Sequence, residues 1–206
     1  TLLAEVGQVF ASAGMKLAGG YSAVPSARTG KKFEFIYTFE ALGKLQDAVG
    51  NSSVGHNLDL WQNYVCNAGV AEWKSLPAEK IVAVRISSAP ANVDAGQLSD
   101  QDRLVPRLDG PVPLLEAVEA LVALDFQGPV TPVVHGSVLS GKRRDETVRV
   151  VGRAIDEIWA AAGLSTAAEF GDEDSPEASE SEDDSSSDEE SNQNGAERQR
   201  QESQAR

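Results

Sequence analysis

Residues 81–86 read IVAVRI, a run of β-branched residues around one arginine, with Lys80 before it and two serines after it. Side chains of this kind fit a pleated, half-buried surface, so the run is expected to be a strand. Working outward, VGHNLDL at 54–60 reads as a second strand, joined to the first by a weak helical stretch near 68–76 that Pro77 closes. Upstream, residues 33–49 place Phe35, Ile36, Phe39, Leu42 and Leu45 at helical spacing, with Gly50 as the stop. Before that come a short apolar segment at 15–21 and a helix at 2–13 carrying Leu2, Leu3, Val6, Val9 and Phe10, ended by Gly14. Downstream lie a loop rich in Pro, Gly and Asp at 87–111, a helix at 113–124, and a strand near 129–135. A helix at 142–162 then presents Val148, Val151, Ile155 and Ile158, with Gly163 behind it.

Four strands alternating with helices argue for βα units around a parallel sheet, an α/β fold. A whole (β/α)8 barrel needs roughly 250 residues. The foldable part of this chain is shorter, so the choice is between an open sheet and part of a barrel.

Charge divides the chain in two. Residues 169–206 hold 14 acidic groups against Arg198, Arg200 and Arg206, a net of −11, which leaves −3 for residues 1–168. The expected organisation is therefore an α/β domain over 1–164 and a Ser/Asp/Glu-rich tail over 165–206. The tail has almost nothing to bury and is expected to be disordered. It reads as a solubilising segment, or as an arm for a basic protein partner. Ser179, Ser181, Ser185, Ser186 and Ser187 each precede an acidic residue by three positions, a context for acid-directed kinases.

A near-neutral body without a Lys/Arg stripe excludes a duplex-binding surface. No apolar run approaches the ~18–20 residues of a membrane-spanning helix. A lone Cys66 rules out a disulfide framework and thiolate zinc clusters, and reads as a buried thiol. The chain begins at Thr1 rather than Met, so an absent N-terminal portion is expected, and a cytoplasmic location is the working expectation. The phosphate-loop, dinucleotide and nucleophile-elbow signatures all fail: at Gly30-Lys31-Lys32, for example, Pro25 and Lys32 stand where a glycine and a hydroxyl are needed. Asp59, at the C-terminal end of a strand, stands where α/β proteins gather ligands and catalytic groups, and equally where an Asp would cap the following segment.

Taken in order, GKKFEFIYTFEALGKLQDAVG, VGHNLDLWQNYV, IVAVRISSAP, RLVPRLDGPVPL and DFQGPVTPVV resemble the sugar phosphate isomerase/epimerase family, the xylose isomerase-like TIM barrels. The resemblance covers residues 1–164 and implies the last four βα units of the barrel, its C-terminal half. It implies a divalent metal, Mn, Mg, Co or Zn, held by Glu, Asp, His and Glu from four strand ends, with the glutamates moving protons beside the sugar carbonyl. Matched residue by residue, Gly20 stands for the first Glu, Arg85 for the His and Val133 for the last Glu. Ser88 stands for the Asp that follows the His. Only Asp59 survives as a metal ligand, and that site is expected to be vestigial. Gln62, beside a retained Trp61, replaces a substrate-facing His, and Arg103 matches a sugar- or phosphate-contacting Arg, with Arg107 close by.

These departures imply a catalytically impaired relative, a pseudoenzyme acting as a carbohydrate-binding or partner module. Its substrate-binding candidates are Trp61, Gln62, Arg85 and Arg103, its ligand a sugar or sugar phosphate, and Arg85 is free to pair with Asp59. The alternative is an active metal-dependent isomerase or epimerase with a rearranged site that uses His135 as base and is completed by a missing N-terminal half. A half-barrel leaves two sheet edges bare, so that half or self-association is expected to be needed for stability.

Overall fold

The structure, a computed structural model, describes residues 2–165. The acidic tail and its serines lie outside the described residues. Four strands, β1 (Leu17–Gly19), β2 (Val54–Asp59), β3 (Ile81–Ile86) and β4 (Val130–Pro132), form one parallel sheet in sequence order. Parallel neighbours need crossovers, and helices supply them. Helix α1 (Leu2–Ser12) precedes β1; α2 (Pro25–Arg28) and α3 (Phe39–Val49) lead to β2; α4 (Leu60–Val65) and α5 (Val70–Trp73) lead to β3. Helix α6 (Leu114–Ala123) leads to β4, and α7 (Arg144–Ala161) follows it. Among the described residues, β1 and β4 each keep one unpaired edge.

The core lies between the sheet and these helices. Leu58, Val84 and Ile86 project from alternate positions of β2 and β3 into a cluster with Trp61, Trp73, Leu98, Leu114, Val118 and Ile158, all buried. On α6, Leu114, Ala117, Val118 and Leu121 recur at spacings of three and four, and all four are buried, which is why this segment is helical and faces the sheet. Each such aliphatic side chain contributes about 1.5–3 kcal/mol on full burial.

Two helices differ from their sequence expectation. Residues 33–38 are not helical; α3 starts at Phe39, where the Thr38 hydroxyl accepts from the Ala41 N–H at 3.2 Å and satisfies a free helix donor. Phe33 and Phe35 consequently stand 79% and 72% exposed instead of facing the core. Gly50 ends α3 as expected, at φ 61°, a conformation a side chain would strain. On α7, Ile158 is buried but Val148 is 65% exposed, and an apolar groove of about 480 Å3 runs between its first turns and β4, lined by Pro132, Val134, Leu139, Val148, Val151 and Ile155.

The 87–111 segment is a pinned strap over the strand ends. Ser88 and Leu104 exchange backbone hydrogen bonds at 3.2 and 2.9 Å. Between them, Ser99 and Asp102 form a capping box around a turn of 3-10 helix at Asp100–Asp102.

Candidate functional site

Asp59 is the last residue of β2, and both readings of it meet in one carboxylate. Its Oδ1 accepts from the Trp61 and Gln62 N–H groups, each at 3.2 Å, and so caps α4. The same carboxylate takes a two-pronged contact from Arg103: Nη2 donates to Oδ2 at 2.9 Å and Nη1 to Oδ1 at 3.2 Å. Both side chains are only 9% exposed. Nη1 of Arg103 also reaches the Ser87 hydroxyl at 3.4 Å, and Nε donates to Asp100 at 3.2 Å. The guanidinium lies over Trp61, 4.3 Å from the ring centroid, and that indole is fully buried.

This is the geometry of a buried ion pair: a planar fork matched to a carboxylate over an aromatic ring, with four of the guanidinium's five N–H groups engaged. Asp59 is paired by Arg103 from the strap, 44 positions along the chain, and not by Arg85 from the adjacent strand. Arg85 is in register with Asp59 and with Thr131 on β4, yet its side chain is exposed and has no carboxylate within 4 Å among the described residues. The Arg103 guanidinium takes that place instead, over the buried Trp61 ring.

The other candidates have been drawn into structure. Gln62 is buried, and its Oε1 accepts from the Ala23 N–H at 2.6 Å, fastening the segment after β1. Trp61 is covered by Arg103 and presents no open ring face there. His135 holds Ser137 through Nδ1, at 2.8 Å from Oγ and 3.3 Å from the backbone nitrogen, while the His135 backbone N–H donates to the Arg103 carbonyl at 2.9 Å. Arg107 is exposed and pairs with Asp109 at 2.6 Å, which holds that carboxylate below its usual range. Cys66 is half-buried, with Sγ 3.6 Å from the Tyr21 hydroxyl, which in turn bonds Asn63. Burial and the neighbouring thiol raise the Tyr21 phenol far above its ordinary value. His56, stacked on Phe39 at 5.0 Å, is pushed down to about 4 by burial and by Lys80.

Sequence reasoning missed Ser87 and Asp100. Asp100 carries a usable signal: it stands three residues before Arg103, a spacing that one helical turn closes. Ser87 carries none, since only the fold brings it to the guanidinium.

A divalent ion does not fit the residues present. Gly20 and Val133 offer no side-chain donor atom, Arg85 offers a permanent cation, and both oxygens of Asp59 are already engaged by a guanidinium. Among the described residues, no three His, Cys, Asp or Glu side chains gather around a common point. No helix of the described residues is long and apolar enough to cross a membrane.

An arc of parallel βα units, with a buried ion pair at the carboxyl ends of the strands, belongs to the TIM-barrel class of α/β folds. No family model and no curated protein sequence matches the chain. Solved structures place the fold more closely. A xylose isomerase domain protein from Alicyclobacillus acidocaldarius matches with TM-score 0.69 at 25% identity over 78% of this chain and 56% of that one. The IolI protein with a binding zinc atom matches with TM-score 0.65 at 20% identity, covering 76% and 53%. A xylose isomerase domain containing protein from Salmonella typhimurium LT2 matches with TM-score 0.62 at 13% identity, covering 75% and 54%. The fold is that of the xylose isomerase-like TIM barrels, and the chain spans a little over half the length of these structures.

Proposed function

We propose that this chain is a metal-independent ligand-binding unit built on a xylose isomerase-like scaffold, a carbohydrate-binding module whose metal chemistry has been lost. The observation that supports this reading most is the Arg103–Asp59 pair. At the strand end where the resemblance implies a metal-ligating carboxylate, that carboxylate is neutralised by a cation carried on the chain itself. Holding a divalent ion against water takes several oxygen or nitrogen ligands of suitable charge. Here a fixed guanidinium takes the ion's electrostatic role and leaves its Lewis acidity behind. The carboxylates that would move protons beside a carbonyl are replaced by Gly20 and Val133, neither of which can carry a proton.

The test is the metal content of the purified full-length protein after incubation with Mn2+, Zn2+, Mg2+ and Co2+, measured by elemental analysis beside the Asp59→Ala variant. The expected result is sub-stoichiometric metal in both. A stoichiometric ion that disappears in Asp59→Ala overturns the reading and restores a metal-dependent isomerase or epimerase.

A further inference from the structure

We propose that the cleft between α4, α5 and the start of α6 binds a neutral single-ring aromatic carbonyl compound, its ring against Trp73 and its carbonyl oxygen accepting from Asn63 Nδ2. The cleft is a cavity of about 210 Å3 in the layer of crossover helices. Leu60, Asn63 and Tyr64 line it from one face of α4, Val70 and Trp73 from α5, and Pro113 and Ala117 from the start of α6. None of its walls comes from β1 or β4, the strands with open edges. Neither Asp59 nor Arg103 lines it, so its occupancy does not depend on the outcome of the metal test. Its rim is the turn between α4 and α5, where Asn67 and Gly69 are exposed. That turn is fixed: Asn67 holds a left-handed φ of 56°, and the Asn63 carbonyl accepts from the Ala68 N–H at 2.8 Å.

The chemistry of the occupant follows from the walls. Leu60, Val70, Trp73, Pro113 and Ala117 bring apolar side chains, which suit a ring. No charged residue lines the cleft, so an ion there would lose its hydration and find no partner. At the rim, a Cβ added to Gly69 would stand 3.4 Å from the Glu72 carboxylate, which sets the entrance against anions in particular. One polar atom lacks a partner. Asn63 is only 2% exposed; its Oδ1 takes the Tyr21 hydroxyl, and its backbone carbonyl takes the Ala68 N–H and the Cys66 thiol. Its Nδ2 has no hydrogen-bond partner among the described residues, whereas buried donors in folded proteins are nearly always satisfied. That nitrogen is closed to water, so a rotation of the Asn63 amide, restrained at its oxygen by Tyr21, brings it to the occupant's carbonyl. Size sets the rest. An apolar cavity of about 150 Å3 takes benzene, so 210 Å3 suits one ring carrying about three further heavy atoms.

The experiment is calorimetric titration of the full chain with acetophenone and, separately, with cumene, which carries a methyl group in place of the carbonyl oxygen. Wild type is compared with Ala68→Leu, which fills the cleft, and with Ala123→Leu, an exposed α6 control. Thermal melts check that each variant is folded. Acetophenone is expected to bind wild type about three- to tenfold more tightly than cumene, the worth of one hydrogen bond. Ala68→Leu should weaken acetophenone binding at least about tenfold, because its added carbons take the place of the ring, and Ala123→Leu by less than about twofold. Absence of saturable binding, equal affinity for the two compounds, or equal weakening in the two variants overturns the proposal. Should Ala68→Leu fail to fold, the two compounds titrated into wild type still decide it.

Discussion

Replacing Arg103 by methionine keeps most of the side-chain volume over Trp61 and removes the charge. Asp59 would then be a carboxylate with 9% of its side chain exposed and only the two backbone donors of α4 to hold it. Removing one partner of a buried ion pair costs about 3–5 kcal/mol, because the remaining charge stays desolvated. The two retained N–H bonds place the expected loss near the lower end, about 3 kcal/mol. Domains of this size have about 5–15 kcal/mol in hand, so the variant should fold, but marginally. Urea unfolding followed by tryptophan fluorescence is a direct assay, since Trp61 lies under the guanidinium. With a slope of about 2 kcal/mol/M the midpoint should fall by about 1.5 M. Asp59→Asn keeps the cap, because an Asn oxygen also accepts from α4, and removes only the charge. The double variant Asp59→Asn/Arg103→Met should therefore be more stable than the sum of the single losses by at least about 1.5 kcal/mol. A single-variant loss under about 1 kcal/mol, or additive losses, would refute the account of the site as a buried, mutually dependent pair.

Other expectations follow from particular contacts. His56 has a folded value of about 4 against an ordinary 6.5 because it is buried beside Lys80. Its contribution to stability is therefore whole above about pH 6.5 and is lost as pH falls toward 4, roughly 2–3 kcal/mol in all. Melting curves across that window should show the loss, and His56→Phe should flatten it. A Cβ on Gly110 would stand 2.0 Å from the Ser88 hydroxyl oxygen. Gly110→Ala should thus cost about 1–3 kcal/mol in thermal denaturation, and Ser88→Ala, which deletes an oxygen that has no partner among the described residues, should recover most of it. Phe33→Ser and Phe35→Ser should change stability by less than about 0.5 kcal/mol while lowering the binding of a hydrophobic dye, since both rings face solvent.

The sheet was legible because strands buried on one face and followed by helices leave a strong pattern. IVAVRI and VGHNLDL are both strands within a residue or two of their expected ends, and α6 shows its buried stripe in plain spacing. Residues 33–38 were misread because Phe33, Phe35 and Ile36 continue the apolar spacing of α3, and spacing alone does not register the Thr38 cap that starts the helix later. Asp59 was legible from its place at a strand end. Its partner was not: Arg85 is the neighbour a sheet register suggests, and Arg103 wins through a strap whose path depends on the Ser88–Leu104 bridge and the Ser99 capping box. Gln62 and Trp61 looked available for a ligand because sequence gives residue type and position but not what covers a side chain.

The double engagement of Asp59 ties two motions together. A strap that lifted from the strand ends would have to carry Arg103 off the carboxylate, leaving the cap of α4 to hold a bare buried charge. Helix fraying at Trp61 and Gln62 would in turn loosen the strap's anchor. Opening the strap and unwinding the first turn of α4 should thus be one cooperative event. In hydrogen exchange, the Trp61 and Gln62 amides should respond together with those of Ser88 and Leu104, although 44 positions separate Asp59 from Arg103 in the chain.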